Sequence, residues 1–212
     1  PSCLAWTVRL PSSSRTSGAE SFWAVDLASS SARMTLQLPI HTERLIVRRL
    51  QPSDLERFAS YRADPVLAQY QGWSPMSLDE AREFIASMRT QPMLETENWG
   101  QLGIANATDD DLLGDIGLCL HENGDAEIGF TLRQDAQGNG FAVEALRGLA
   151  RELLRLPAVA RIVGITDERN EASIKVLERL GMTLASRYET VFKDEPCVEL
   201  RYELTCESCG RG

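Results

Sequence analysis

No run of this 212-residue chain approaches the eighteen or so apolar residues that a membrane-spanning helix requires, so no span is expected. Positive charge is also short: 22 Lys and Arg stand against 31 Asp and Glu, a formal net charge of −9. A general nucleic-acid binder needs a basic stripe for its phosphate contacts, and that class is set aside. The acidic balance suits a cationic partner instead, such as an amine or a basic protein tail. Histidine is scarce, with only His41 and His121. The cysteines Cys3, Cys119, Cys197, Cys206 and Cys209 form an odd set without the spacing of a disulfide framework, so a reduced compartment, the cytoplasm, is expected. Cys206 and Cys209 make a single Cys-x-x-Cys near the end of the chain. Zinc there would need two further ligands, so no metal site is expected.

What is present fits one domain with a substantial core. Residues 1–33 carry serine clusters at 12–14 and 29–31 and no sustained helix or strand period. They are expected to be an extension, disordered or non-native, with the functional protein starting at Met34; the alternative is an extension that packs through Trp6, Phe22 and Trp23. The domain is expected to span 34–205, with 206–212 as a tail.

The chain turns on residues 126–146, where a strand runs through a glycine-bearing loop into a helix. Ile128, Phe130 and Leu132 alternate with Glu127, Gly129 and Thr131, the period of a half-buried strand. Ala142, Ala145, Leu146, Leu149 and Leu153 then recur at helical spacing. Between the two periods lie Gln137, Gly138, Asn139, Gly140, Phe141 and Ala142. The glycines remove the Cβ atoms that block close approach, so successive amides at the helix start can face one anion. A dinucleotide fingerprint would want a third glycine or alanine where Val143 stands, and the Walker pattern fails because no Gly-Lys-Ser/Thr follows.

Downstream, the strand Arg161–Thr166 leads to Asn170, Ser173 and a helix closing in Leu180-Gly181-Met182. Read with Asp135-Ala136-Gln137-Gly138-Asn139-Gly140, and with Thr42-Glu43-Arg44-Leu45-Ile46-Val47-Arg48 as an opening strand, the chain over roughly 40–204 resembles the GNAT acetyltransferase superfamily. It is most similar to the RimJ/RimL type that acetylates ribosomal-protein N-termini. The family pattern is Gln/Arg-x-x-Gly-x-Gly/Ala, then Asn-x-x-Ser before a helix ending Leu-Gly-Phe. Taken from Asp135, the first pattern shows an acid where the family has Gln or Arg. Met182 replaces the Phe, an apolar exchange of little consequence.

The resemblance implies an α/β fold whose mixed, mostly antiparallel central sheet carries helices on both faces and a splayed strand pair at the coenzyme A site. It implies acetyl-CoA as cosubstrate, held by Phe130 and Leu132 on the strand, by the loop Gln137 to Ala142, and by Asn170. Asn170 could equally serve only as the N-cap of its helix. The implied reaction is direct attack by an amine, a protein N-terminus or a small amine such as a polyamine or antibiotic. Many enzymes of the superfamily place a Tyr on the second helix as acid, but none lies between residues 170 and 182. Ser173 stands there as a hydrogen-bond donor or as an ordinary first-turn serine. Glu127 is the candidate base or an exposed edge charge, with His121 in reserve. Tyr70 and Trp73 are candidates for the acceptor wall or for core packing. Exposed strand edges at the C-terminal end permit a homodimer. A non-catalytic acyl-CoA-binding module and a nicotinamide-dependent oxidoreductase are the other classes weighed.

Overall fold

The computed structural model describes residues 35–205; the expected extension at 1–33 and the tail at 206–212, with Cys206 and Cys209, lie outside the described residues. Within them the strands are β1 (Ile40–His41), β2 (Leu45–Arg49), β3 (Trp99–Asn106), β4 (Leu112–Leu120), β5 (Asp125–Leu132), β6 (Arg161–Asp167), β7 (Thr183–Phe192) and β8 (Glu195–Leu204). They form one eight-stranded sheet in the order β1-β2-β3-β4-β5-β6-β8-β7. Every neighbouring pair is antiparallel except β5 and β6. The opening strand expected around residues 42–48 corresponds to β2, and the two-residue β1 is too short to leave a period in the sequence.

Among the described residues five α-helices cover the sheet: α1 (Leu55–Arg62), α2 (Pro65–Ala68), α3 (Leu78–Thr90), α4 (Phe141–Leu153) and α5 (Glu171–Leu180). Their ends follow local chemistry. The Ser77 hydroxyl accepts from the Glu80 amide at 3.3 Å while the Glu80 carboxylate accepts from the Ser77 amide at 2.7 Å, a closed capping box. Gly181, at φ +92°, ends α5 in the left-handed conformation that costs glycine little. Alternation along β4 separates two layers. Ile116 and Leu118 face the main core with Leu146 and Leu149 of α4 and Leu177 of α5. Asp115 points the other way, to α1, where Phe58 and Tyr61 pack with Ala81 and Ile85 of α3.

That second layer is built around a buried charge. Arg62 donates to Asp115 at 2.7 Å, and both side chains are almost wholly buried. Tyr61 donates its hydroxyl to the same carboxylate at 2.5 Å, and Gln101 donates its amide. The guanidinium lies 4.4 Å from the ring centre of Trp73 and 4.9 Å from that of Phe58. Burial and the neighbouring carboxylate hold the Tyr61 hydroxyl well above its ordinary pKa, so it stays a donor.

Removing one partner of such a pair leaves the other charge buried without compensation, at a cost of about 3–5 kcal/mol. Asp115→Ala should therefore lower the unfolding free energy by about that amount in urea titrations. Arg155→Ala, which removes an exposed pair with Glu152, should change it by less than about 1 kcal/mol. Equal effects from the two substitutions would refute a central role for the Arg62–Asp115 pair.

Candidate functional site

β5 pairs with β4 along its length, from Leu120↔Ala126 to Gly114↔Leu132. It pairs with β6 only at Asp125↔Arg161, Ala126↔Ile162 and Glu127↔Val163, and beyond these the parallel neighbours part. An ion cluster closes the base of the gap. Asp125 accepts from Arg161 and from Arg201 at 2.6 Å each, and Glu203 accepts from Arg201 at 2.9 Å. Above the base, the Gln71 side chain donates to the Phe130 carbonyl at 3.3 Å and the Gln137 side chain to the Leu132 carbonyl at 3.1 Å. Those carbonyls face away from β4, and by the two-residue period the main-chain groups of Ile128 share their direction. The unpaired edge of β5 thus presents alternate donors and acceptors to the gap.

At one end of the gap the chain leaves β5 through a 3-10 turn at Gln134–Ala136 and enters α4 through Gly138 at φ +76° and Gly140 at φ +79°. The Gln137 amide donates to the Gln134 carbonyl at 3.3 Å, and the next amide to find a main-chain acceptor is that of Glu144, on Gly140 at 3.1 Å. Among the described residues, the amides of 138–143 take no main-chain acceptor. They lead into the N-terminus of a thirteen-residue helix, where an anion is stabilised by the helix dipole as well as by the N–H groups. A Cβ added at Gly138 would meet nothing within 4 Å, so this face is open. The residues present therefore suit a pyrophosphate.

Arg44, quoted above only within the opening strand, adds a cation here. Its side chain is held by Glu144 at 2.7 Å, donates to the Asn139 carbonyl at 3.2 Å, and lies 4.7 Å from the Phe141 ring centre. Nothing in the sequence near 140 signals it, because it arrives from a strand about a hundred residues earlier. The acid at Asp135 is no obstacle. It sits in the 3-10 turn upstream of the cradle and pairs with Arg133 at 3.0 Å. The pattern starts two residues later than the register taken from Asp135: Gln137, Gly140 and Ala142 satisfy Gln-x-x-Gly-x-Ala without a departure.

The gap itself holds two adjoining cavities of about 100 and 40 Å³, with Tyr70, Gln71, Ile128, Gly129, Ile165 and Thr166 common to both. The smaller reaches Phe130, Asn170 and Ser173. The Asn170 side-chain oxygen caps α5 by accepting from the Ser173 amide at 3.1 Å, and its Nδ2 has no acceptor among the described residues. The larger cavity reaches Glu127, Cys197 and Glu199. Tyr70 and Trp73 part company. Tyr70 lines both cavities, whereas Trp73 lines neither: it is buried against the Arg62 guanidinium. Trp73 follows the core-packing alternative, with the Arg62 guanidinium over its ring. The segment carrying both aromatics is fixed by Lys193 from the β7–β8 turn, which donates to the carbonyls of Ala68 at 2.7 Å and Trp73 at 3.1 Å.

Glu127 is half-buried and makes a specific contact: His121 Nε2 lies 2.9 Å from its carboxylate, while His121 Nδ1 lies 3.0 Å from Glu97. Burial raises the Glu127 pKa above the ordinary carboxylate value, and the opposing pull of His121 does not cancel it. Burial alone would lower the imidazole pKa, but hydrogen bonds to Glu97 and Glu127 hold it above the ordinary value. A carboxylate of raised basicity therefore faces the cavity, with an imidazole and an exposed carboxylate behind it leading to solvent.

Comparison with known proteins agrees with this geometry. The family model described as Acetyltransferase (GNAT) domain matches residues 44–183. An uncharacterized N-acetyltransferase, p20, of Bacillus licheniformis is 29% identical over 145 residues, covering 67% of this chain and 80% of the relative. RimL, a ribosomal alpha-N-protein acetyltransferase solved in complex with coenzyme A, superposes with a TM-score of 0.68 at 19% identity over 81% of this chain and 99% of its own. Spermidine N-acetyltransferase from Vibrio cholerae, solved with coenzyme A and spermine, gives 0.67 at 16% identity over 79% and 98%.

The cradle makes a direct prediction. A side chain at position 140 must adopt a left-handed backbone, at a cost of about 1–2 kcal/mol, and re-aims the first amides of α4. Gly140→Ala should weaken coenzyme A binding about tenfold, equivalent to ~1.4 kcal/mol, in a calorimetric titration. Unchanged affinity in a folded variant would show that the loop does not hold the phosphates.

Proposed function

The chain belongs to the GNAT acetyltransferase family, and from that premise we propose that it transfers acetyl from acetyl-CoA to a primary amine, with a protein N-terminal α-amine as the preferred acceptor. In this reading the amides of Gly138 to Ala142, in the loop that Gln137 opens and with Arg44 beside them, hold the pyrophosphate. The main-chain groups of Ile128, Phe130 and Leu132 align the pantetheine arm, joined by the free Nδ2 of Asn170.

The observation that carries the chemistry is the Glu127 carboxylate, half-buried where β5 and β6 part and more basic than an ordinary carboxylate. The amine nitrogen bonds to the acetyl carbon, the carbon–sulfur bond breaks, and the amine proton passes to Glu127. In the same reading the Ser173 hydroxyl hydrogen-bonds the departing thiolate while water supplies its proton, since a hydroxyl is a poor acid. Tyr70 forms part of the acceptor wall. An α-amine, with a pKa of about 7.7–8.0, is appreciably neutral near pH 7, whereas a lysine at about 10.4 is mostly charged. A carboxylate base of modest strength therefore suits the α-amine.

One observation favours a second acceptor, a small polyamine: Glu127 and Glu199 both line the larger cavity, and paired anions attract a multiply charged cation. Thiol release from acetyl-CoA separates the two readings. Peptides with free N-termini should turn over with kcat/KM at least tenfold above that of spermidine; the reverse order would transfer the assignment to a polyamine. No turnover on any amine, with acetyl-CoA bound, would leave only an acyl-CoA-binding module.

The base assignment has its own pH signature. Glu127 acts only when ionised, so kcat/KM should fall as pH falls through its raised pKa, placing the acid limb above the ordinary carboxylate range. Glu127→Gln should remove that limb and lower kcat by about 10²–10⁴-fold. A limb that survives the substitution would assign the base elsewhere. Ser173→Ala should lower kcat by about tenfold with little change in acetyl-CoA affinity.

A further inference from the structure

Metal ligation by this chain is not visible in sequence spacing, because its donors lie on two separate segments, Glu97 before β3 and Cys119 with His121 at the end of β4. Strand register brings them together. Cys119 on β4 stands opposite Trp99 on β3 and Glu127 on β5. His121, two residues after Cys119, follows on the same side by the strand period. The bridge Thr96↔Leu120 then carries Glu97 alongside, and the Glu97 amide donates to the Leu120 carbonyl at 2.8 Å. As a result one ligand atom each from Glu97, Cys119 and His121 lie within 4.8 Å of one another.

We propose that Glu97, Cys119 and His121 form a mononuclear site for a thiophilic divalent cation of the Zn²⁺ class, at the rim of the larger cavity and against Glu127. Three features support it. The donor set is one thiolate sulfur, one imidazole nitrogen and one carboxylate oxygen, a combination that suits Zn²⁺ or Co²⁺ and gives Mg²⁺ or Ca²⁺ no advantage. The contact between His121 Nδ1 and Glu97, 3.0 Å, is already close to the ligand–ligand separation of about 3.2–3.8 Å expected from metal–ligand bonds of about 2.0–2.3 Å in a tetrahedron. The Cys119 sulfur lies within 4.8 Å of both.

The third feature is the second shell. With the metal on Nδ1, the other ring nitrogen carries its hydrogen toward Glu127 at 2.9 Å, the carboxylate–histidine–metal arrangement that fixes the tautomer and strengthens the ligand. The half-exposed Glu97 leaves the fourth position to water. An occupied site would hold His121 as a donor to Glu127, so metal and base share one imidazole. The ligand geometry stands apart from the acyl-transfer reading, and each can fail alone.

The test is Co²⁺ titration of the reduced full-length chain carrying Cys3→Ser, Cys206→Ser and Cys209→Ser, so that thiols outside the cluster do not compete. One Co²⁺ per chain should bind, with a thiolate-to-metal absorption band in the near ultraviolet, and Zn²⁺ should displace it. Mg²⁺ should not. Cys119→Ser should abolish the band, and Cys197→Ser, which changes the other described cysteine, should leave it. Glu97→Gln, at an exposed position that cannot compromise the core, should lower Co²⁺ affinity at least tenfold. Glu127→Gln should lower it by about 10–100-fold, as loss of a second-shell carboxylate does. Absence of stoichiometric binding, a band that persists in Cys119→Ser, or unchanged affinity in Glu97→Gln would overturn the site.

Discussion

The three-residue pairing between β5 and β6 is the constraint on which the rest of the molecule depends. Each of these strands is committed on its far side, β5 to β4 and β6 to β8 through Asp167↔Glu199. Asp125, Arg161, Arg201 and Glu203 lock the two together at one end. With their outer partners fixed and only one end tied, the strands diverge toward the other. A sheet interior that is not closed leaves main-chain donors and acceptors without partners, and such groups are costly to bury. Gln71 and Gln137 cover two of the exposed carbonyls with side-chain amides. The remaining edge is a template for a ligand that brings its own amides, as an extended pantetheine arm does.

The same strand divides its labour by parity. Ala126, Ile128 and Leu132 turn their side chains to the core under α4 and α5, while the main-chain groups of 128, 130 and 132 face the gap. Asp125 and Glu127 turn their side chains the opposite way, one to the ion cluster and one to the cavity. Gly129, between Glu127 and Thr131, leaves that face of the strand open, and it lines both cavities. A slip of one residue in register would bury Glu127 in the core and expose Ile128. The apolar set that stabilises the sheet therefore also aims Glu127 at the cavity.

Much of this was legible in the sequence because it is local. The change from period two to helical period at 132–141, the glycines at 138 and 140, the Ser77–Glu80 box and the Gly181 cap are encoded within a few residues of where they act. The expected strands and helices recur with ends shifted by one or two residues. What escaped depends on contacts distant in sequence. Arg44 reaches the cradle across the sheet, and His121 gains its meaning only between Glu97 and Glu127. Trp73 was indistinguishable from Tyr70 as an aromatic beside glycine and proline, and the contact with Arg62 shows that one ring is core while the other lines the cavities. The pattern register failed by two residues because Gln137 and Asp135 both precede glycines, and the 3-10 turn that separates them has no composition of its own.

The buried Arg62–Asp115 pair explains why the segment that carries Tyr70 to the cavity can rest on polar groups without collapsing. An isolated charge beneath a cavity wall is costly. Here the guanidinium stacks on Trp73 and Phe58, and its carboxylate partner also receives Tyr61 and Gln101, so the charges beneath the wall are internally satisfied. Trp73 in turn anchors the segment that places Tyr70 at the cavity, and Lys193 ties the same segment to the β7–β8 turn. Rigidity at Tyr70 is thus supplied from two sides by cations whose own partners lie within the protein. Among the carboxylates that line the larger cavity, Glu127 is paired with an imidazole, that of His121, whose other nitrogen contacts the exposed Glu97. A carboxylate held by guanidinium would be fixed in its charge; one held by imidazole is not, and that difference makes Glu127 rather than Asp115 or Asp125 fit for proton transfer.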